Sequence, residues 1–343
     1  MRSLPSALAL TLLALVVDVG PGSAQQTDRV YKIVTLVTGS PGFVPPPVEK
    51  WTGPGAAFRD ALRDRGYVVG KNLVIDVRHG EGEVTRLATV AESVVASKPD
   101  VILTFGTATT VAAMQATKTI PIVFAGVGSP VEKGIVASLA KPGGNATGTA
   151  GMISNPKMWQ LLRDIAPATR RAGYLIYGPN TLAGIKNPSE FRSESLSANR
   201  RNAETAGIEF VDMFVDTRDE LEPKIAELAT RGNAAIFIVT DPVLFSWRSS
   251  ILEMASRYRL PTVCAQWLEW GAEGCLATYG EDPYEQRRNL AGQIDKVLKG
   301  IQPADIPVQQ PTKINLIINA KTAKLLDLTV PPSLFALADE VIE

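Results

Sequence analysis

The side chains with the most chemical reach in this chain are few. His79 is its one histidine, and Cys264 and Cys275 are its two cysteines. Acyl transfer needs a nucleophile set against a base. No Gly-x-Ser-x-Gly elbow occurs, and His79 closes a strand-like run, where it reads as a surface residue. A zinc cluster of histidines and cysteines is excluded by count. "HGEGE", residues 79–83, reads as a solvated loop rather than a chelate. No Gly-x4-Gly-Lys-Ser/Thr phosphate loop appears. "GVGSPV", residues 126–131, begins like a dinucleotide fingerprint but puts Val131 where the last glycine belongs. These residues point away from an enzyme, a bound cofactor and a metal.

Binding is better supported. In "TFGTATTVAAM", residues 104–114, a strand ends in Gly106, Thr107, Ala108 and Thr109 and a helix begins. In open α/β sheets ligands sit beyond the carboxyl ends of strands, where amides and helix N-termini converge. Other strands of the chain end the same way. Thr38, Gly39 and Ser40 follow the first, and Val127, Gly128 and Ser129 follow the fourth. Further on come Asn180, then Thr240 and Asp241, then Gln266 and Trp267, with Tyr279 on a later strand. Each loop taken singly is also a good turn or cap; together they suggest two rims of a cleft. A carboxylate at Gly106, Thr107 and Ser129, an amine at Asp241 and a flat group on an aromatic ring would suit an amino acid. An aromatic carboxylate without the amine fits the same rims.

The elements that must hold these rims follow from the apolar pattern. Strand-like bursts at 31–37, 72–78, 101–105 and 121–126 alternate with helical runs at 53–67, 83–97 and 109–117. Such alternation predicts a parallel sheet covered by helices. After "ATGTAG", residues 146–151, the pattern restarts and runs to "GCLATYG". "PDVILTFGTATTVAAMQATKTIPIVFA" and "NAAIFIVTDPVLFSWRSSILEMASRYRLPTVCA" share the order strand, polar turn, helix, X-Pro, strand. Two lobes of one βα design are expected. A helix capped by Gly300, a Pro-rich crossing, the strand "INLIINA" and two short helices, "KTAKLLDL" and "PPSLFALADEVI", complete the chain.

Length and charge agree with this reading. The 343 residues suffice for two domains, and 35 basic residues balance 35 acidic ones. The sequence pI is near 6.7, so nothing calls for nucleic acid or a membrane surface. Residues 1–24 combine Arg2, an apolar run from Ala7 to Val17 and small residues before a cut, which is the pattern of a secretory signal peptide. No cysteine lies near that cut to carry a lipid. Cys264 and Cys275 are either a disulfide of an exported protein or two small buried hydrophobes.

Three stretches make a resemblance specific: "TIPIVFAGVGSPVEKGIVASL", "LAKPGGNATG" and "DIPVQQPTKINLIINAKTAKLLDLTVPPSLFALADEVIE". They resemble the substrate-binding proteins of ABC transporters, in the branch that includes tryptophan- and tyrosine-type binders. The likeness covers about residues 30–343. It implies an α/β fold of the type I periplasmic-binding architecture, two Rossmann-like lobes with parallel sheets joined by three crossings. The lobes would comprise 25–150 with 282–308, and 151–281 with 309–343. "TYGEDPYEQRRNLAGQIDKVLKG" is similar to the second crossing and following helix of sugar-binding relatives. The first loop, "GSPGFVPPPVEKWTGPG", is longer than in many relatives and would bring Phe43 and Trp51 near the cleft mouth. The resemblance implies a periplasmic monomer that binds a small molecule, partners an ABC permease in the inner membrane and uses no cofactor. A sensor that presents its ligand to a membrane receptor is the alternative, and a periplasmic enzyme a distant third.

Overall fold

The computed structural model describes residues 29–39, 46–151, 155–178, 188–239, 241–265 and 268–343. The first half of the chain runs β1 (Tyr31–Val37), α1 (Gly53–Arg63), β2 (Leu73–His79), α2 (Leu87–Ala96), β3 (Val101–Phe105), α3 (Thr107–Ala116), β4 (Ile122–Val127) and β5 (Ala146–Ala150). Its strands form one parallel sheet in the order β2-β1-β3-β4-β5. Successive residues of β1 serve opposite faces: Ile33 packs with Phe58 and Leu62 of α1, whereas Val34 and Leu36 pack with Leu87 and Ala91 of α2. A strand covered on both faces must be apolar at nearly every position, which is why these strands read as unbroken bursts.

The second half runs α4 (Pro156–Ile165), β6 (Arg171–Tyr177), α5 (Pro188–Thr205), β7 (Glu209–Val215), α6 (Leu221–Thr230), β8 (Ala234–Ile238), α7 (Pro242–Ser246), α8 (Arg248–Arg257), β9 (Thr262–Ala265), α9 (Leu268–Ala272) and β10 (Ala277–Glu281). Then follow α10 (Pro283–Leu298), β11 (Ile314–Asn319), α11 (Ala320–Leu325), α12 (Pro332–Leu337) and β12 (Glu340–Ile342). The second sheet has the order β12-β11-β10-β9-β8-β6-β7. Its segment β7-β6-β8-β9-β10 repeats the order of the first sheet strand for strand. The sequence echo between β3-α3-β4 and β8-α7-α8-β9 is therefore an echo of position. One face is packed around Ile225, Ile236 and Ile251, and the other around a fully buried Trp159, whose ring stacks on Phe237 at 4.6 Å.

Three details differ from the sequence reading. The sheets are parallel except that β11 runs antiparallel to β10, because the chain returns from the first lobe and enters the sheet from the opposite direction. The stretch Glu340–Ile342 is not helical but an edge strand parallel to β11, since open backbone on β11 offers pairing that three residues can use. The helix over "LFSWRSSILEMASRY" is broken at Trp247 into α7 and α8.

Cys264 and Cys275 are joined, with Cα atoms 6.5 Å apart. The bond ties β9 to the turn before β10, beneath α9. Among the described residues no helix is long and apolar enough to cross a membrane.

The chain passes between the sheets three times, and the passages lie side by side. At the end of β5, the Ala150 amide donates to Gln309 O at 2.8 Å, and the Gln309 amide donates back to Gly148 O at 2.9 Å. Beyond β10, the Asp282 amide donates to the Lys313 carbonyl at 3.0 Å. Between these passages α10 packs on the first sheet, where Leu290, Ala291 and Ile294 join the cluster of Phe58 and Leu62. Its buried Gln293 donates to Gly148 O at 2.9 Å and to Pro307 O at 3.2 Å, binding two passages to one helix.

Candidate ligand-binding cleft

A 2-1-3-4-5 sheet reverses its winding between the first and third strands, and the crevice at their carboxyl ends is where such sheets bind ligands. Here that reversal falls between β1 and β3 in one sheet and between β6 and β8 in the other. The passages fix how these edges meet. β5 and β10 leave their sheets at their carboxyl ends, and Ile314, the first residue of β11, lies opposite Glu281, the last of β10. The carboxyl edges of the two sheets therefore face one another. They also touch: Val84, between β2 and α2, packs against the cores of both lobes.

On the first rim, Thr38 is buried and Gly39 has φ +71°. A Cβ on Gly39 would lie 2.9 Å from the Cβ of His79, so glycine is required there. His79 is thus partly buried against the first rim rather than free on the surface. Gly106 also adopts a positive φ, +81°, and its amide donates to Ala125. Among the described residues no side chain caps α3. The threonines of its first turn divide in role. Thr109 and Thr110 return their hydroxyls to Phe105 O and Gly106 O, which holds the turn. Thr107 instead accepts from Lys133 Nζ at 3.0 Å. Val127 and Ala108 are buried in the core, so only their backbone can face a ligand. Ser129 holds a left-handed φ of +46° and accepts the Lys133 amide, closing the turn that carries the lysine. Burial lowers the Lys133 ammonium to about 8, against a weaker upward pull from Glu132.

A second cation stands at the same edge. The Arg287 guanidinium lies over the Phe105 ring with Cζ 4.2 Å from its centroid. It donates to Gln286 Oε1 at 3.1 Å, and Gln286 donates in turn to Glu281 at 2.9 Å. Burial brings Arg287 down to about 10, and the charge of Glu281 opposes the shift. Among the described residues no carboxylate lies within ion-pairing distance of it.

On the second rim, Tyr177 ends β6 and meets Trp247 edge to face at 5.5 Å. Burial first, then Glu83, Asp241 and Asp216, push its hydroxyl up to about 12. Glu83 belongs to the first lobe, so this tyrosine marks the seam. Asp241 is buried and caps α7, its Oδ1 accepting from Val243 N at 2.7 Å and Leu244 N at 3.1 Å. Tyr279 is packed against the apolar clusters around Trp159 and Leu161.

Residues 54–342 match the family model described as ABC transporter substrate binding protein. The chain belongs to that family. This substrate-binding protein is 32% identical over 275 residues to a tyrosine-binding protein of Clostridioides difficile, covering 79% of this chain and 75% of the relative. Among solved structures it is similar to an ABC domain from Streptococcus pneumonia in complex with L-Trp, with TM-score 0.79, 24% identity and coverage of 91% and 100% of the two chains. A ligand-free, open substrate-binding protein from Clostridium difficile matches with TM-score 0.61 at the same 24% identity, over 91% and 99% of the two chains. A glucose-galactose binding protein from Geobacillus stearothermophilus shares the fold at TM-score 0.56 and 14% identity, over 84% and 98%.

Of the residues that sequence singled out in this substrate-binding protein, Thr38, Gly39, Gly106, Thr107, Ala108, Val127, Gly128 and Ser129 share the edge of the first sheet, and Asp241 lies at the matching edge of the second. Tyr279 lies inside β10, two residues short of the edge. Ser40, Asn180, Thr240, Gln266, Trp267 and Phe43 lie outside the described residues. Trp51 packs against the first-lobe core, with its Nε1 donating to Pro46 O at 3.1 Å. Sequence reasoning missed Lys133, Arg287 and Tyr177. The first could have been found from its place four residues past Ser129 in a turn; Arg287 gave no such signal.

Proposed function

We propose that this protein is the solute-binding component of an ABC importer. It captures a small carboxylate-bearing molecule with a flat apolar body, an aromatic amino acid or an aromatic carboxylate, between the two sheet edges. It then hands that molecule unchanged to an inner-membrane permease. The observation that carries this reading is the pair of switch-point edges facing one another, one lined by Gly106, Thr107 and Lys133 and the other by Tyr177 and Asp241. The relatives support the ligand class, one being named a tyrosine-binding protein and another holding L-Trp. In this reading the carboxylate meets the Gly106–Thr107 turn and Ser129, and an amine meets Asp241. Residues 25–150 with 282–308 and residues 151–281 with 309–343 are the closing bodies, and the passages near 150, 280 and 310 are the hinge. The signal peptide, residues 1–24, sends a monomer to the periplasm.

Native mass spectrometry of the purified protein, with chemical identification of what it releases, tests this directly. An unmodified aromatic acid or amino acid is the expected result, with small-angle scattering showing compaction when it is added back. Release of a sugar, or identical scattering profiles at saturation, would overturn the reading.

A further inference from the structure

Arg287 stands where the packing of α10 calls for an apolar residue. Leu290, Ala291, Ile294 and Val297 are the residues of α10 that enter the first-lobe core, and Arg287 precedes them at the spacing of the same helical stripe. That place is also the carboxyl edge of the first sheet, because the start of α10 crosses the strand ends. Gln286 lies against Gly126 near the end of β4, where a Cβ on the glycine would be 3.7 Å from its Nε2. Arg287 lies over Phe105, the last residue of β3, with Cζ 4.2 Å from the ring centroid. Gly106 comes next in the chain, and a Cβ added there would meet nothing within 4 Å. Open space therefore borders the turn beside the ring that carries the guanidinium.

The donors of Arg287 are only partly used. Nη1 donates to Gln286 Oε1 at 3.1 Å, and among the described residues no other group accepts from the fork. None of its nitrogens is both enclosed and unpartnered, so the remaining donors open to solvent. Arg59 of the same lobe shows what an arginine with a structural task looks like. Its Nη1 donates to the Val48, Glu49 and Trp51 carbonyls and its Nε to Asp60. Gln286 is uncharged and gives its own amide to Glu281 at 2.9 Å, so it steadies the Arg287 fork without neutralising it. With a pKa of about 10, the guanidinium keeps its charge at pH 7. A planar fork laid against a ring has a fixed orientation, and its paired N–H groups match the two oxygens of a carboxylate.

We infer that Arg287 is the anchor of the ligand's carboxylate, gripping both oxygens beside the Gly106 turn, and that it makes this protein selective for the free acid over the amide of the same aromatic body. This rests on the cleft being the ligand site and adds the residue that decides which end group is accepted. Gln286 is a positioning residue for it, holding one edge of the fork while the others stay open.

Calorimetry on the full mature chain at pH 7 tests the inference with L-tyrosine, L-tryptophan, indole-3-acetate and the primary amide of each. The wild type should bind an acid roughly tenfold to a hundredfold more tightly than its amide, the range expected for hydrogen bonds to a charged group. Arg287→Gln should remove most of that preference by weakening the acid and leaving the amide nearly unchanged. Arg287→Lys keeps the charge without the fork and should fall between. Gln286→Glu sets a carboxylate against the guanidinium and should also weaken the acid alone. Equal affinity of the wild type for acid and amide overturns the anchor, as does an acid preference that survives Arg287→Gln. Should the variants fail to fold, a crystal structure of the wild type with a bound acid decides: its carboxylate must meet the Arg287 guanidinium, and a carboxylate held by the Gly106 turn alone overturns the anchor. Tight binding of an aromatic acid with its preference independent of Arg287 would sink the anchor and leave the proposed function standing. Failure of every aromatic acid to bind would remove both.

Discussion

Lys313, on the third passage between the lobes, sets its ammonium 2.9 Å from Oδ2 of Asp282 on the second. Oδ1 of the same carboxylate accepts from the Tyr284 and Glu285 amides and caps α10. Burial alone would raise the Asp282 carboxyl, but Lys313 and the two amides outweigh it and hold it below its ordinary value. The Thr312 hydroxyl, foremost, does the same for Glu285. A depressed carboxyl stabilises the fold above its unfolded pKa and loses that contribution as pH falls through the folded one. Stability should therefore decline below about pH 4. Asp282→Asn keeps a capping side chain and loses the ion pair with a mostly exposed lysine. It should cost about 1 kcal/mol or less at pH 7 and shrink the decline in acid, both read from urea unfolding at pH 7 and pH 3. An unaltered acid limb would show that other carboxyls control it.

The disulfide makes a second prediction. Cys264 and Cys275 are fully buried and 11 residues apart in sequence. A loop of that size is worth about 3 kcal/mol in the chain-entropy model. The double variant Cys264→Ala, Cys275→Ala should lose roughly 2–3 kcal/mol in denaturant unfolding. Reductant added to the native wild type should act only on the timescale of opening. Rapid reduction without loss of structure would mean that the bond is reached from solvent and contributes little.

Lys133 gives opposite pH signs to stability and to binding. Its folded pKa, about 8, lies below its ordinary value of 10.5, so between those values the unfolded chain holds the extra proton. On this group alone, ligand-free stability rises as pH goes from 8 towards 10. Affinity for an anion falls over the same range, because the ammonium is being lost. Lys133→Met should flatten both trends, which melting curves and calorimetry at pH 7, 8 and 9 would display. Parallel trends in the variant would acquit this lysine.

Asp241 serves as a cap and is proposed to meet an amine, and substitutions separate the two. Asparagine caps nearly as well as aspartate, whereas alanine does not, at a cost of about 0.5–2 kcal/mol. Asp241→Asn should melt near the wild type and lose at least tenfold in affinity for an aromatic amino acid, while Asp241→Ala should also lose stability. Unchanged affinity in the Asn variant would confine Asp241 to capping.

Much of the architecture was legible because its strands are buried on both faces. Ile33 and Val34 must both be apolar, so β1 shows as a burst, and the same holds for β3, β4, β6 and β8. Turn chemistry was legible where backbone geometry demands a residue type, as at Gly39 and Gly106. Legibility ended where long side chains or distant pairing decide. Arg287 is the fifth residue of α10 and looks like any solvated charge until Phe105 is beneath it. Glu340–Ile342 has no strand pattern of its own and becomes one only beside β11. The spacing of Cys264 and Cys275 allowed a disulfide without giving the distance between them.

The placement of α10 has a consequence for how the chain acquires its structure. Leu290 and Ile294 belong to the core around Phe58, so the first lobe stays incomplete until more than two hundred later residues have been made. The second lobe waits in turn for β11. Neither body can finish as a contiguous stretch, and such long-range closure slows folding. For the proposed export in unfolded form, that slowness is an asset: the connectivity that joins the two sheets also postpones collapse until the whole polypeptide is across.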